Sequence, residues 1–250
     1  MIDNSQKFTL GICIPVWNRG DLFRKSFDSL IRQLGGISAT IFIYDNGSDS
    51  ETVKAVQSVE SSDHLIFKTF LPKNMGIPYV ANLFAMAIQE NCDHAGYIAP
   101  QYMLIMDADA YFKKPIIDLL QLFTRYFDLG LLSGHDSIEH KETRQMKIDM
   151  NGKEVLLKVK ENERMLTMFM RKEEFVACYP FPHYRDRDVD WELTQWNQNS
   201  MKRRSRSIYV ACDYVLHLGL DRSTWQGDLA LTNHTKSEIN EVRMILNSSE

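Results

Sequence analysis

Cysteine is scarce in this chain. Four residues among 250, at Cys13, Cys92, Cys178 and Cys212, form no C-x-x-C pair. The spacing offers no redox or zinc motif and fits reduced thiols in a cytoplasmic protein, with Cys13 and Cys212 inside apolar runs. A surplus of one charge is also lacking. Twenty-nine Lys and Arg stand against 33 Asp and Glu, a net −4, whereas general nucleic-acid binding shows as a basic excess. No apolar run approaches the length of a membrane span, and the polar N-terminus has no secretory h-region. G-x-G-x-x-G and G-x-x-x-x-G-K-[ST] are both absent, so dinucleotide and P-loop readings lose their main support. What is present is 44% apolar residues, enough for a proper core.

The apolar residues alternate between two patterns. Phe8 to Val16 is a continuous apolar run, expected for a strand buried on both faces, and Thr40 to Tyr44, Leu65 to Leu71 and Tyr102 to Met106 are three further expected strands. Between them lie helical stripes. The first carries Leu22, Phe23, Phe27, Leu30, Ile31 and Leu34 and stops at Gly35-Gly36. Another has Pro78 in its first turn and Val80, Leu83, Phe84 and Ala87 inward, and a third follows Pro115. Ser48 and Glu51 have capping-box spacing, so a helix is expected to start there. This alternation predicts an α/β fold with a mostly parallel sheet and right-handed crossovers. The pattern changes near residue 130. A hairpin about Asn151-Gly152 with a type I′ turn is expected, then strands over 164–170 and 209–216, a helix over 188–196 and a short C-terminal helix. One domain over 1–250 is expected: a nucleotide-binding half (1–110), an acceptor-side half with the hairpin (111–220) and a C-terminal extension (221–250).

Ligands of open parallel sheets bind beyond the carboxyl ends of the strands. Three strands here end in polar groups: Pro15-Val16-Trp17-Asn18-Arg19, Asp45-Asn46-Gly47 and Asp107-Ala108-Asp109. Each alone is no more than a turn or a cap. Together they suit a site in which Asp45 accepts from a base N–H, Trp17 offers a stacking face and Asn18 bonds base or ribose. The Asp-x-Asp needs a counter-charge at the end of a buried strand, and a divalent cation bound to a diphosphate supplies one. Lys73-Asn74-Met75-Gly76 follows the third strand, where glycine lets backbone approach a ligand. Asp186-Arg187-Asp188-Val189-Asp190-Trp191-Glu192 is either a solvated helix start or the seat of a general base. His217 ends an apolar run, where a neutral imidazole can complete a metal shell. The basic cluster Lys202-Arg203-Arg204-Ser205-Arg206 reads as a loop gripping a diphosphate or as a patch touching anionic lipid at the inner membrane face.

In order, these motifs resemble the GT-A glycosyltransferases, in particular family 2, over roughly residues 7–220. The matching segments are Pro15-Val16-Trp17-Asn18, Asp45-Asn46-Gly47-Ser48, Asn74-Met75-Gly76 with Ala81-Asn82, Asp107-Ala108-Asp109, Asp188-Val189-Asp190 and His217. Two departures stand out. Arg187 replaces the acid that usually precedes the base, and Trp17 replaces Tyr or Phe. The resemblance implies inverting transfer of a sugar from a nucleotide-diphosphate donor, UDP-linked by expectation, to a glycan or lipid-linked saccharide. The donor would lie on Pro15, Trp17, Asn18, Arg19, Asp45, Asn46, Asn74, Gly76, Asn82, Asp107 and Ala108. Asp109, His217 and Asp107 would hold Mn2+ or Mg2+, and Asp188, with Asp190, would serve the acceptor hydroxyl. Three rivals compete on the same residues: a non-catalytic nucleotide-sugar or glycan-binding module, a nucleotidyltransferase, whose usual Gly-rich, Lys/Arg-bearing opening loop is not matched by Val16-Trp17-Asn18-Arg19-Gly20, and a phosphatase of the haloacid-dehalogenase type. The phosphatase's nucleophilic Asp usually lies near the N-terminus with Gly/Val-Thr after the pair, whereas Ala110-Tyr111 follows here.

Overall fold

The four apolar runs and the stripes between them become β1 (Thr9–Val16), α1 (Gly20–Leu34), β2 (Ser38–Asp45), α2 (Ser50–Ser58), β3 (Leu65–Phe70), α3 (Ile77–Gln89) and β4 (Tyr102–Met106). The structure, a computed structural model, describes residues 7–90, 97–136, 142–160, 166–181, 207–219 and 236–248. The second half supplies β5 (Ala110–Phe112), α4 (Ile116–Arg125), β6 (Leu129–Ser133), β7 (Glu142–Met150), β8 (Lys153–Lys160), β9 (Thr167–Arg171), α5 (Lys172–Cys178), β10 (Ser207–Ala211), β11 (Val215–His217) and α6 (Lys236–Asn247).

One nine-stranded sheet runs in the order β3-β2-β1-β4-β9-β6-β10-β8-β7, and β11 pairs with β5 in a second, two-stranded sheet. Strands β1 to β4 are parallel to one another. Only β9 and β8 run against the rest, each antiparallel to its neighbours on both sides. The expected mostly parallel sheet is therefore present. The strand order reverses at β1: β2 and β3 build outward on one side and β4 lies on the other. The carboxyl ends of β1 and β4 flank that switch point, the place where open α/β sheets bind their ligands.

Alternate residues of the central strands feed two cores. Ile12, Ile14, Leu104 and Met106 pack under α1, α2 and α4 with Phe23, Phe27, Leu30, Val56, Leu119 and Phe123. Cys13, Met103 and Ile105 face α3 and α5 with Phe42, Phe84 and Phe175. Phe84 meets Phe42 and Phe175 at centroid separations of 5.4 and 5.3 Å. Each such buried side chain contributes roughly 1.5–3 kcal/mol. Strands covered on both faces read as unbroken apolar runs for this reason. The hairpin turn is as expected, with Asn151 and Gly152 both at positive φ, 57° and 82°.

Four local expectations change. Asp49, not Ser48, caps α2, accepting from Thr52 N at 2.8 Å; Ser48 is drawn instead to Val16 O and Asn18 N. The inward face of α3 is Val80, Ala81, Phe84, Ala85 and Ile88, one step from the predicted stripe. The run over 209–216 is two strands, because the chain turns at Asp213, φ 65°. The strand placed over 164–170 is Thr167–Arg171. Cys13 and Cys178 are buried, whereas Cys212 is half-buried. The helix over 188–196 and the cluster 202–206 lie outside the described residues. No helix among the described residues is long and apolar enough to cross a membrane.

Candidate active site

The site is built from strand ends. β1 and β2 finish level, with Val16 opposite Asp45. Beyond β1, Trp17 is 53% exposed, its ring open to the solvent. Asn18 takes the left-handed conformation, φ 51°, which Asn tolerates. Its Oδ1 accepts from Asp49 N at 2.8 Å and its own N donates to Ser48 Oγ at 3.1 Å. The ends of β1 and β2 are thereby laced together. Asp45 is buried. Its Oδ2 accepts from Ser48 N at 3.4 Å, but its Oδ1 has no hydrogen-bond partner among the described residues. A buried carboxylate oxygen without a donor is costly, so this atom suits an incoming N–H.

Asn46 and Asn74 are engaged with each other. Asn46 Nδ2 donates to Asn74 Oδ1 at 2.9 Å, and Asn46 Oδ1 accepts from Met75 N at 2.8 Å. Asn74 Oδ1 also accepts from Gly76 N. These residues fix the 74–76 turn against the β2 end. Gly47, at φ 74°, allows the approach, since a Cβ there would overlap the Lys73 backbone. Asn82 lies on α3 and clamps Phe181, donating to its carbonyl at 2.9 Å and accepting from its N–H at 2.7 Å. The structure thus shows Asn46, Asn74 and Asn82 engaged with protein, and it shows Asp45 Oδ1 buried without a partner among the described residues. Pro15 lies within β1, and Asp188 and Asp190 lie outside the described residues.

Asp107, Ala108 and Asp109 form the turn from β4 to β5, closed by Ala110 N donating to Asp107 O at 3.1 Å. Asp107 is half-buried; Ala108 and Asp109 are buried. Two serines of α1 hold β5 in place. Ser26 Oγ donates to Ala110 O at 2.6 Å, and Ser29 Oγ accepts from Phe112 N at 3.0 Å. They are buried hydroxyls within an apolar stripe, and that misfit is the signal by which the sequence could have disclosed them. The β5–β11 pair then sets His217 opposite Ala110, and Leu218 N donates to Asp109 O at 2.9 Å. The result places His217 Nε2 3.2 Å from Asp109 Oδ2, across 108 residues of sequence.

The same oxygen accepts from Arg19 Nη1. Burial alone would raise the Asp109 pKa, but His217 and Arg19 hold it well below the ordinary carboxylate range. Gly219 packs against all three groups, and a Cβ there would collide with the Asp109 carboxylate and crowd Arg19 and His217. Behind His217 stands a pair the sequence did not disclose: the His135 ring is 6.4 Å from the His217 ring, and His135 Nε2 is 3.3 Å from Glu238 Oε1 of α6. The helix itself is held by Val242 against Leu22, Leu216 and Leu218 and by Lys113 on Glu241 at 2.9 Å.

The donor set fits a hard or borderline divalent cation in part. A carboxylate oxygen and an imidazole nitrogen converge, which suits Mn2+ or Mg2+. Among the described residues no group of three His, Cys, Asp or Glu side chains joins to hold a metal. The other coordination positions would fall to water and to a ligand's phosphates.

A family model described as Glycosyl transferase family 2 matches residues 11–194. No curated protein matches the sequence. Among solved structures, the fold is similar to S. aureus TarS, with a TM-score of 0.59 and 14% identity, over 97% of this chain and 40% of that one. It is also similar to the mannosyltransferase PcManGT from Pyrobaculum calidifontis, solved with GDP-Man and Mn2+. There the TM-score is 0.57 and the identity 13%, over 85% of this chain and 58% of that one. A 1–349 form of TarS in complex with UDP-GlcNAc aligns at a TM-score of 0.58 with 12% identity, over 97% of this chain and 68% of that one. At these identities the likeness is one of fold. The chain spans well under two thirds of the first two structures' length.

Proposed function

The chain belongs to glycosyl transferase family 2, and from that premise we propose that it moves a sugar, with inversion, from a nucleotide-diphosphate donor to a hydroxyl of a glycan or lipid-linked saccharide. The observation that carries this reading is the meeting of Arg19, Asp109 and His217 at the switch point between β1 and β4. Parallel sheets bind phosphorylated ligands there. The unpartnered Asp45 Oδ1, at the end of β2, supports a base that presents an N–H, as uracil does. Trp17 provides the stacking face.

Asp109 and His217 would hold Mn2+ or Mg2+, with Asp107 reaching the ribose or a metal-bound water. When bound, the cation neutralises charge on the departing diphosphate. The chain's own residues do the rest. Asp45 and Trp17 orient the nucleotide. Asn46, Asn74 and Gly76 keep the adjoining wall in shape. Asp188 takes the proton from the acceptor hydroxyl, an assignment that rests on the family motif. The basic cluster at 202–206 grips the diphosphate or rests on anionic lipid.

The test is a release assay over UDP-, GDP- and dTDP-sugars, with and without Mn2+. Mn2+-dependent release of nucleoside diphosphate is expected from one class, with UDP favoured, and Asp109→Asn should lower it by about 10²–10³-fold. Release from none of the donors sinks the reading.

A further inference from the structure

The place at Asp109 where a cation would bind is already taken by one. Arg19 Nη1 donates to Asp109 Oδ2, the oxygen that also faces His217 Nε2 at 3.2 Å. We propose that Arg19 is the resident counter-charge of Asp109 and that a divalent cation replaces it, the guanidinium leaving for the diphosphate as the metal arrives. The inference rests on the nucleotide-diphosphate reading above.

Geometry and charge both support exchange. The Asp109 side chain is 2% exposed and the Arg19 side chain 36%. One end of the pair is therefore fixed in the protein and the other reaches solvent. The Arg19 backbone is tied down, its carbonyl accepting from Phe23 N at 2.8 Å, so movement is confined to the side chain. Gly219 closes the remaining side, because its backbone packs against the Asp109 oxygen, Arg19 Nη1 and His217 Nε2. A guanidinium and a metal on the same oxygen would repel each other as like charges at close range. The buried carboxylate also needs one of them, since an uncompensated charge there is costly.

The charges decide which state can assist a leaving diphosphate. Arg19 and Asp109 paired sum to zero and offer an anion little. With the cation on Asp109 and Arg19 free, the same groups sum to +2. A guanidinium forms paired hydrogen bonds to phosphate as readily as to carboxylate, so the diphosphate can draw it away. Arg19 thus keeps the acid satisfied while the crevice is without donor, and the site assembles its charge only as nucleotide and metal enter.

The experiment titrates Mn2+ into the full chain without nucleotide and reads free Mn2+ by electron paramagnetic resonance. Arg19→Gln should bind Mn2+ at least tenfold more tightly than the wild type, and the gain should vanish in Arg19→Gln/Asp109→Asn. Circular dichroism melts establish which variants fold. If Arg19→Gln does not fold, Arg19→Lys decides: a looser pair predicts a gain of about threefold. Equal or weaker binding in the folded variant, or a gain that survives Asp109→Asn, overturns the exchange. The assay uses no sugar. A gain without any sugar turnover upholds the exchange and breaks only the transferase reading, whereas turnover without a gain does the reverse.

Discussion

The two halves of this sheet deliver polar groups to one crevice by different means. In β1 to β4 delivery follows from parallel register. Strands that start together end together, and the residue after each end faces the ligand. Arg19 and Asp109 arrive this way, each three residues beyond its own strand, and Asp45 is the last residue of β2. In the second half β8 and β9 run against the other strands, and His217 reaches Asp109 only because the three-residue strands β5 and β11 pair in the second, two-stranded sheet. The first arrangement is robust, with many hydrogen bonds setting each position. The second depends on a few contacts: Ser26 and Ser29 behind β5, Gly134 under Val215, and α6 over Leu216 and Leu218. A site made this way is fixed at its β1–β4 end and adjustable at the other.

The largest expected effect tests whether the halves are one folding unit. Phe169 on β9 is wholly buried between β4 and β6 and meets Phe112 edge-on at 6.3 Å. Phe169→Ala should cost about 3–5 kcal/mol and shift a single cooperative urea transition. Two separated transitions would show independent halves and end the comparison as drawn. Gly219→Ala comes next and probes the fragile delivery of His217. Its Cβ displaces Asp109, Arg19 or His217, and such misplacement costs about 10²-fold in kcat with only a small change in melting temperature. Near-normal kcat in that variant would mean the position of His217 is not critical.

The smallest effect concerns acid. Asp109 has a lowered pKa in the fold, so its contribution to stability is complete above the ordinary value of about 3.9. It is lost as pH falls through the lowered one. Asp109→Asn lacks that charge, and the wild type's advantage, on the order of 1–2 kcal/mol, should shrink from about pH 7 to about pH 3. Urea midpoints of both proteins at the two pH values measure it. An advantage unchanged by pH would assign the effect to packing rather than charge.

The comparison also explains what the sequence could disclose. Buried parallel strands show as apolar runs, so β1, β2 and β4 and the acids at or after the ends of β2 and β4 could be read directly, whereas β3 is a half-buried edge strand whose run is broken by Lys68. The Asn151-Gly152 hairpin was legible because a type I′ turn needs two positive φ angles. Strands β5 and β6 were not, since three and five residues between turns carry too little periodicity to separate from loop. His217 was legible as a candidate by its residue type and place, but its distance to Asp109 was not, because pairing of short strands across about a hundred residues leaves no local trace. Arg19 was read as a donor contact. Its bond to Asp109 depends on β1 and β4 being neighbours, which is a fact of topology, not of composition. Asp49 displaced Ser48 as the α2 cap because Ser48 was claimed by the β1 end.

Strand β9 has one more consequence. Five residues of β4, Tyr102 to Met106, take their outer hydrogen bonds from Arg171 to Thr167, drawn from far downstream. The stretch ending at Asp109 is therefore no detachable cassette: severed there, it would bare a raw, sticky backbone edge. Recombination that grafts this front portion onto a foreign tail would have to bring a replacement strand with it. New specificities in such a lineage are easier to reach by rewriting the downstream segment in place than by shuffling pieces.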